Sequence, residues 1–330
     1  MTEFVRTQDS NFQGLFNFDY SPNYHGWQDL RMHYIDEGPS DGPVMLLLHG
    51  MPTWSFLYRD IVPVLVSAGY RCIAPDHMGF GRSDKPTDIH WYTIARHTEI
   101  LSSLIVALNL TKVTLVCQDW GGPIGLSQAS MMPERFDHLV IMNTWLHHDD
   151  FEYSDALKLW NSNWQKNGIF DVEKPDLAKL LARDFDGNIQ TIISNFTEDT
   201  GSADSDAEQE IYRGFAAPYL GLPDQGFNGF RRFPLSIPLS EEFYLNGNAV
   251  AQSLHYKNLM DWTQRPGKGC NFIWGGSDMA FLELQGREWA AKMEAPFHVI
   301  PDAGHFLQNS HGQTVAKVIL EHQGSKGATE

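Results

Sequence analysis

Long hydrophobic runs, basic residues and cysteines are all scarce in this sequence. Its 330 residues contain no run near the roughly 18 apolar residues that a membrane span needs, and the start, MTEFVRTQDSNFQG, lacks the apolar stretch of a signal peptide. Only 24 Lys and Arg residues stand against 41 Asp and Glu residues, which gives a net charge of -17. Because phosphate binding needs clustered cations, we expect neither nucleic acid nor a membrane as a partner.

The three cysteines, Cys72, Cys117 and Cys270, lie in apolar runs. Buried free thiols explain them better than a disulfide framework, since disulfides are typical of oxidising compartments. Together with the missing signal peptide, this predicts a cytoplasmic protein. Hydrophobic residues make up 42% of the chain and charged residues 20%, which is typical of a globular protein with a sizeable core.

Short apolar runs alternate with longer segments whose apolar residues recur every three or four positions. The runs predicted as strands are Val44–His49, Arg71–Asp76, Lys112–Asp119, His138–Thr144, Cys270–Asp278 and Phe297–His305. The segments predicted as helices are Phe56–Ala68, Tyr92–Leu108 and Gly122–Met132. This alternation predicts an α/β fold with a mostly parallel, doubly wound sheet.

After Trp145 the alternation stops, and it resumes only near residue 270. We interpret residues 145–233 as an inserted helical cap domain, and residues 1–144 and 234–330 as the core domain. Within the cap, EDTGSADSDAEQE carries six acids and no base and is predicted to be a solvated turn or loop. The run His147–Asp150 is predicted to be a solvated cap entrance rather than a metal site, because adjacent side chains rarely converge on one ion.

A buried strand, a turn of small residues and the start of a helix follow one another in VCQDWGG, residues 116–122. This is the outline of a nucleophile elbow, in which a sharp strand-to-helix turn presents its central residue at the carboxyl end of the sheet. The central residue here is Asp119. A carboxylate suits displacement of a leaving group at saturated carbon, which forms an alkyl ester on the enzyme. A helix-capping role for Asp119 is the simpler alternative.

A histidine and an acid follow the last two predicted strands. His305 lies in DAGHF after the final strand, and Asp278 ends IWGGSD after the preceding one. The chain order nucleophile, acid, histidine is that of the α/β-hydrolase fold. We therefore predict His305 as the general base and Asp278 as the acid that orients it. Glu283 and Asp302 are the alternative acids.

The turn His49-Gly50-Met51-Pro52 follows the predicted strand VMLLLH. We predict that the backbone N–H of Met51 joins that of Trp120 in an oxyanion hole. These donors would stabilise the tetrahedral intermediate that forms when water attacks the ester.

The chain resembles the haloalkane dehalogenases of the α/β-hydrolase superfamily, and the resemblance covers nearly all of it. It is carried by HGMPTWSFLYR, DHMGFGRSDKPT, VCQDWGG, APYLGLPDQGFNGFRRFP and DAGHFLQ. The resemblance implies that Asp119 attacks the carbon that bears the halogen while the indole N–H of Trp120 binds the departing halide. Water activated by His305 then hydrolyses the ester to a primary alcohol, with no metal or organic cofactor. The substrate implied is a small neutral halogenated alkane, with water as the second reactant and halide as a product.

The second halide donor is where the sequence departs from the family pattern. Relatives have Asn or Glu at the position of Met51, and a thioether cannot donate a hydrogen bond. The chain resembles the subgroup that places its acid after the penultimate core strand, as Asp278 is, and that takes its second donor from a cap tryptophan. Trp160 matches that position, with Trp164 as the alternative. Packing of an amphipathic cap helix would also explain either tryptophan.

Two other functions stay open at this point. An epoxide hydrolase shares the fold, the Asp nucleophile and the ester intermediate, but it needs cap tyrosines to protonate the opening epoxide. Tyr153, Tyr212 and Tyr219 are the candidates. A catalytically idle binding protein with a hydrolase fold is the alternative from another class. The combined segment matches favour dehalogenation over both.

Overall fold

The structure, a computed structural model, describes residues 1–166, 206–239 and 243–324. Its strands in chain order are β1 (Phe4–Val5), β2 (Asn23–Trp27), β3 (Leu30–Glu37), β4 (Val44–Leu48), β5 (Arg71–Pro75), β6 (Lys85–Pro86), β7 (Val113–Gln118), β8 (Phe136–Met142), β9 (Gly269–Gly275) and β10 (Phe297–Ile300). Its α-helices are α1 (Val62–Ser67), α2 (Ile94–Ala107), α3 (Gly121–Met131), α4 (Asp155–Lys166), α5 (Asp206–Ala216), α6 (Asn228–Arg232), α7 (Phe243–Thr263), α8 (Glu283–Lys292) and α9 (Leu307–Gly324). Short 3-10 helices cover Asp9–Phe12, Ser55–Tyr58, Ile89–Trp91, Pro133–Arg135, Asp224–Phe227 and Pro234–Ser236.

Eight of these strands form one sheet in the order β2-β3-β5-β4-β7-β8-β9-β10. The six strands from β5 to β10 in that order pair in parallel, while β2 and β3 add an antiparallel edge. The prediction of a mostly parallel sheet is confirmed, and each segment predicted as a strand overlaps one. The antiparallel edge was not predicted. A separate ribbon pairs β1 with β6.

The strands end earlier than the apolar patterns predict, and the difference matters for the site. β7 ends at Gln118, β8 at Met142, β9 at Gly275 and β10 at Ile300. Because neighbouring parallel strands end at the same edge of a sheet, the residues just beyond these ends share one region of space.

The predicted helices at Tyr92–Leu108 and Gly122–Met132 correspond to α2 and α3. Helix α2 begins after Thr93, whose side chain accepts a hydrogen bond from the backbone N–H of Arg96 at 3.1 Å, as a good N-cap does. The third predicted helix, Phe56–Ala68, divides instead into a 3-10 helix and α1. Helix α1 has Pro63 in its first turn, a position that suits proline because it has no N–H to satisfy.

The centre of the core is the pair β4 and β7. All six residues of β7 are buried, as expected for a parallel strand covered by helices on both faces. Helix α3 lies directly against this pair, and a Cβ at Gly125 would approach the Leu48 side chain to 2.5 Å. Small residues thus let α3 sit close to the sheet. The three cysteines are buried and free, as predicted.

The described parts of the predicted cap contain the helices α4, α5 and α6, a short 3-10 helix and connecting loops. Residues 167–205, the middle of the predicted cap, lie outside the described residues, and the cap boundaries stay a prediction. The acidic segment EDTGSADSDAEQE is only partly described. Its end, residues 206–210, forms the start of α5, so the prediction of a turn or loop is wrong there. The reason is that Phe215 of the same helix is anchored in the core.

Within the described ranges, no helix combines the length and apolarity needed to cross a bilayer.

Candidate active site

Asp119 occupies the sharp turn between β7 and α3. Its φ of 50° lies in the left-handed region, which costs a residue with a side chain about 1–3 kcal/mol. The turn is tight because α3 starts against the end of β4: a Cβ at Gly121 would overlap the carbonyl oxygen of Leu48, and one at Gly122 would overlap the Thr144 hydroxyl. Strain of this kind, held by close packing, is what the elbow pattern predicts.

The Asp119 carboxylate is largely buried, with 8% of the residue exposed. The backbone N–H of Met51 donates a hydrogen bond to Asp119 Oδ1 at 2.8 Å. This donor reaches the carboxylate because Gly50 lies directly against it, and a Cβ at Gly50 would overlap Asp119 Oδ1. Of the two donors predicted for the oxyanion hole, the Met51 N–H therefore contacts the Asp119 carboxylate in this structure. The other donor, the Trp120 N–H, belongs to the peptide that directly follows Asp119.

His305 and Asp278 lie beside Asp119. The Nδ1 atom of His305 is 2.9 Å from Asp278 Oδ2, and its Nε2 atom is 3.6 Å from Asp119 Oδ2. The other Asp278 oxygen, Oδ1, accepts hydrogen bonds from the backbone N–H groups of Ala280 and Phe281 at 2.8 and 3.2 Å. The structure thus brings the three residues predicted as the triad into one chain of contacts.

The two alternative acids are engaged elsewhere. Glu283 contacts Arg287 at 2.6 Å, one turn along α8. Asp302 lies 3.4 Å from His311. Asp278 is therefore the better candidate for the acid that orients His305.

Two amides to which the sequence analysis assigned no catalytic role complete the surroundings of this pair. Asn143, just after β8, donates from Nδ2 to Asp278 Oδ2 at 2.5 Å and accepts the Gly275 N–H at 2.8 Å. Gln118, the last residue of β7, contacts His305 through its amide nitrogen. Their position at the carboxyl end of a parallel strand was the signal that could have identified both.

The two carboxylates control the charge on His305. Burial lowers the pKa of the imidazole, but Asp278 and Asp119 outweigh it and raise the pKa to about 10. With Asp119 ionised, the imidazole is therefore charged near neutral pH. If Asp119 became a neutral ester, one of the two supporting charges would vanish and the pKa of His305 would fall.

A cavity of about 50 Å³ lies beside Asp119 and His305. The described residues in its wall are mostly apolar and include Trp120, Trp145, Trp160 and the side chain of Met51. The Trp120 indole is held between two rings, stacked on Phe233 with centroids 4.9 Å apart and edge-on to Trp145 at 4.7 Å.

Both tryptophans predicted to bind halide, Trp120 and Trp160, therefore line the same cavity as Asp119. Trp160 projects from α4 and is partly buried against the core. The side chain of Trp164, the alternative donor, lies outside the described part of the chain. An apolar cavity with a few polar groups is typical of a site for a small neutral ligand.

The three tyrosines considered for epoxide opening are not among the described residues that line this cavity. The Tyr153 hydroxyl lies 3.1 Å from His147 Nδ1, and burial raises the pKa of that phenol. The ring of Tyr219 stacks on Phe227 with centroids 5.5 Å apart. This arrangement gives an opening epoxide no tyrosine next to Asp119 in the described structure.

The run His147–Asp150 makes contacts with aromatic rings. His148 stacks on Tyr256 with ring centroids 3.8 Å apart, and His147 stacks on Tyr153 at 5.8 Å. Across the ranges that the structure covers, no group of three or more His, Cys, Asp or Glu side chains is arranged to hold a metal ion.

The chain matches known proteins over most of its length. A sequence profile of the alpha/beta hydrolase fold matches residues 43–311. A haloalkane dehalogenase of Mycolicibacterium paratuberculosis is 48% identical over 327 residues, covering 97% of this chain and 98% of its own length. One from Psychrobacter cryohalolentis is 34% identical over 328 residues, covering 96% and 97%.

Among solved structures, a haloalkane dehalogenase from Paraglaciecola agarilytica superposes with a TM-score of 0.76 at 31% identity, covering 96% of this chain and 97% of the other. The predicted family and fold are confirmed by these matches. The chain belongs to the haloalkane dehalogenase family of the α/β-hydrolase fold.

Proposed function

We propose that this enzyme hydrolyses the carbon–halogen bond of small haloalkanes through an alkyl ester on Asp119. Membership of the family supports the reaction, since its members are hydrolases that act on carbon–halide bonds. The observation that carries the residue assignment is the placement of Asp119 on a strained elbow, 3.6 Å from a histidine that is itself held by Asp278.

In the first step, Asp119 attacks the carbon that bears the halogen. Because the Met51 N–H holds Oδ1, the oxygen free to attack is Oδ2. The new C–O bond forms as the carbon–halogen bond breaks, and the halide leaves with the electron pair. The indole N–H groups of Trp120 and Trp160 stabilise the charge that develops on the halide. This stabilisation is stronger in a dry, apolar cavity than in water.

In the second step, His305 Nε2 takes a proton from water, whose oxygen attacks the carbonyl carbon of the ester. The negative charge that forms on the former carbonyl oxygen is stabilised by the backbone N–H groups of Met51 and Trp120. Collapse of this intermediate releases a primary alcohol, whose oxygen receives the proton from His305, and leaves the second proton of the water on Asp119. That proton passes to His305, which restores the Asp119 carboxylate, and the imidazolium releases it to solvent after the next ester has formed. Asp278 stabilises the imidazolium in between. Water supplies both protons, one to the alcohol and one that leaves as acid with the halide, so the cycle balances without a cofactor.

The cavity favours a small, neutral substrate. One water molecule needs roughly 10–15 Å³ of cavity volume. A cavity of about 50 Å³ therefore has room for about four atoms of that size, which suits a molecule of roughly four non-hydrogen atoms. We therefore propose short primary haloalkanes as substrates. The net charge of -17 disfavours retention of the halide product and association with nucleic acid or anionic membranes.

We also propose that residues 145–233 act as the cap domain on a core of residues 1–144 and 234–330. Helix α4 joins the two at the site, because Trp160 lines the cavity and Asn161 donates to the Pro234 carbonyl at 2.7 Å. A cytoplasmic location is proposed because three buried free thiols suit a reducing compartment.

The test is halide release from short brominated and chlorinated alkanes beside a matching epoxide panel. We expect halide release and no epoxide opening, and Asp119→Ala should abolish multiple turnover while the variant keeps its fold by circular dichroism. Substantial residual turnover in Asp119→Ala would refute the nucleophile. Epoxide opening without halide release would favour the rival hydrolase, and ligand binding without turnover would favour a binding protein.

A further inference from the structure

Gln118 contacts the histidine of the site but has no part in the steps above. It is the last residue of β7 and is fully buried. Its amide nitrogen lies 3.0 Å from His305 Nε2 and 3.1 Å from the backbone carbonyl oxygen of the same histidine. One side-chain amide thus contacts both the ring and the backbone of His305.

The His305 carbonyl fixes which way the Gln118 amide faces. A carbonyl oxygen only accepts hydrogen bonds, so the atom that faces it must be the amide nitrogen, since a reversed amide would place two acceptors 3.1 Å apart. One N–H of Gln118 is used by this carbonyl. The other is available to His305 Nε2.

The hydrogen bond to Asp278 then determines what Nε2 can do. Nδ1 of His305 donates to Asp278 Oδ2, whose carboxylate also accepts the Ala280 and Phe281 N–H groups and is held as an acceptor. In the neutral ring the lone pair is therefore on Nε2, and it can accept from Gln118. In the imidazolium, two N–H donors would face each other at 3.0 Å.

We propose that Gln118 is a positioning residue that selects the neutral, Nδ1-protonated form of His305, so that the ring is a base when the Asp119 ester has formed. This rests on the proposed two-step hydrolysis. The charged groups that face His305 in the described structure are Asp119 and Asp278, which both favour the imidazolium. The rings of Phe281 and Phe306 also pack on it and carry no charge.

The balance between these groups changes during the reaction. In the free enzyme the two carboxylates outweigh Gln118. In the ester state Asp119 is neutral, so that only Asp278 favours the imidazolium and Gln118 opposes it. Hydrogen bonding to the neutral form of a group lowers the pKa of a base. Gln118 therefore acts at the stage of the cycle that needs an unprotonated Nε2.

Fold stability alone does not explain an amide at this position. Gln118 Oε1 is buried and has no hydrogen-bond partner among the described residues, which costs free energy of folding. A methionine of similar length would avoid that cost. The presence of an amide in spite of this cost points to the contact that its nitrogen makes.

The direct test uses Asp119→Asn, whose neutral side chain imitates the charge of the ester. The pKa of His305 is measured by 15N NMR in Asp119→Asn and in Asp119→Asn/Gln118→Met. We expect the second variant to have the higher pKa by about one unit, which corresponds to about 1.4 kcal/mol. An equal or lower pKa would overturn the proposal. This measurement needs no turnover, so it decides the role of Gln118 even if the enzyme releases no halide.

The matched control is Gln128→Met in the same Asp119→Asn background. Gln128 is also fully buried, and its amide nitrogen donates to the carbonyl oxygens of Thr98 and Ile124. It therefore loses the same chemical group away from His305. We expect lower stability and an unchanged pKa of His305. A shift as large as that of Gln118→Met would overturn the proposal, since any buried amide would then have the effect.

A second readout is the pH dependence of ester hydrolysis in single turnovers of Gln118→Met. Its acid limb should move to higher pH by about one unit while the alkylation rate changes little. A uniform loss of rate at every pH would show a merely structural role. If Gln118→Met does not fold, Gln118→Glu replaces it. Its carboxylate would favour the imidazolium, so we expect a larger shift in the same direction, and no shift would contradict the proposal.

Discussion

Two buried histidine–carboxylate pairs of similar geometry occur in the described part of the chain. His305 Nδ1 lies 2.9 Å from Asp278 Oδ2 in the site, and His33 Nδ1 lies 2.7 Å from Asp76 Oδ2 near the antiparallel edge of the sheet. Distance alone would not tell which pair belongs to an active site.

The surroundings of the second pair close it off. His33 and Asp76 are both fully buried, and the carboxylate accepts the backbone N–H groups of Ser55 and Arg82 at 2.8 Å each. Burial raises the pKa of Asp76, but His33, His49 and the Ser55 N–H outweigh it and hold the pKa at about 2. This pair joins β3 to the loops after β4 and β5 and does not line the cavity at Asp119.

The two pairs differ in what faces the second nitrogen of the histidine ring. His305 Nε2 faces Asp119 and the apolar cavity, whereas His33 Nε2 is buried with no hydrogen-bond partner in the described structure. The comparison teaches that a nucleophile and a space for substrate make a histidine–carboxylate pair catalytic. The pair by itself is equally a structural element.

The largest expected difference comes from replacing the two histidines. His305→Gln should still form the Asp119 ester but fail to hydrolyse it, because no base is left for water. Mass spectrometry after exposure to a bromoalkane should show one alkyl adduct, and multiple turnover should be lost. His33→Gln should be less stable yet turn over without an adduct. Sustained halide release by His305→Gln would remove that residue from the role of base.

Replacing the two carboxylates should separate rate from stability. Asp278→Asn keeps a contact to the imidazole but cannot stabilise its charge, so we expect a rate loss on the order of 10³–10⁴-fold with the fold retained. Asp76→Asn should lose about 3–5 kcal/mol of stability, because it leaves the buried partners of Asp76 without a compensating charge. Its rate should stay close to that of the unchanged enzyme. Urea unfolding and steady-state kinetics measure the two effects. Near-normal activity of Asp278→Asn would place the acid elsewhere.

The second of these variants also has a pH signature. The pKa of Asp76 is lowered from 3.8 to about 2, so its charge stabilises the fold above pH 3.8 and this contribution is lost as the pH falls towards 2. The stability difference between the unchanged enzyme and Asp76→Asn should therefore shrink over that range. An equal difference at pH 2 and pH 6 would show that the charge of Asp76 is not its source.

The smallest expected effect on the rate concerns the wall of the cavity beside Asp119, which His33 and Asp76 do not line. Trp160→Phe keeps most of the apolar bulk but removes one N–H donor to the departing halide. Loss of such a donor typically costs about 3 kcal/mol, or roughly a hundredfold in rate. Chloroalkanes should suffer more than bromoalkanes, because chloride is the poorer leaving group. Unchanged chloroalkane rates in Trp160→Phe, with losses in Trp164→Phe, would move the donor along α4.

The sequence predicted those parts of the site that depend on local pattern. Asp119, Asp278 and His305 each follow a recognisable strand, and their chain order alone predicts that they meet. Gln118 ends a strand and Asn143 follows one, but nothing local shows that the Gln118 amide contacts a histidine 187 residues later in the chain. Such a contact depends on how closely the loop after β10, which carries His305, approaches the end of β7, and apolar patterns do not report this.

The fold shows the same limit. The parallel strands were predicted because burial on both faces makes them continuously apolar. Strands β2 and β3 mix polar and apolar residues, with NYHGW in β2 and LRMHYIDE in β3, and were missed. Their pairing depends on the neighbour β5, to which β3 adds in antiparallel register.

The contact between Gly50 and the Asp119 carboxylate limits how this scaffold can diversify. Since a single added carbon at Gly50 would overlap Asp119 Oδ1, the space around the turn suits a nucleophile of one side-chain carbon plus its reactive group. Serine and cysteine have that reach, whereas glutamate carries a methylene for which the backbone at Gly50 leaves no room. Exchange of reaction chemistry on this framework is thereby confined to short nucleophiles, and a longer one would first require the turn after β4 to be rebuilt.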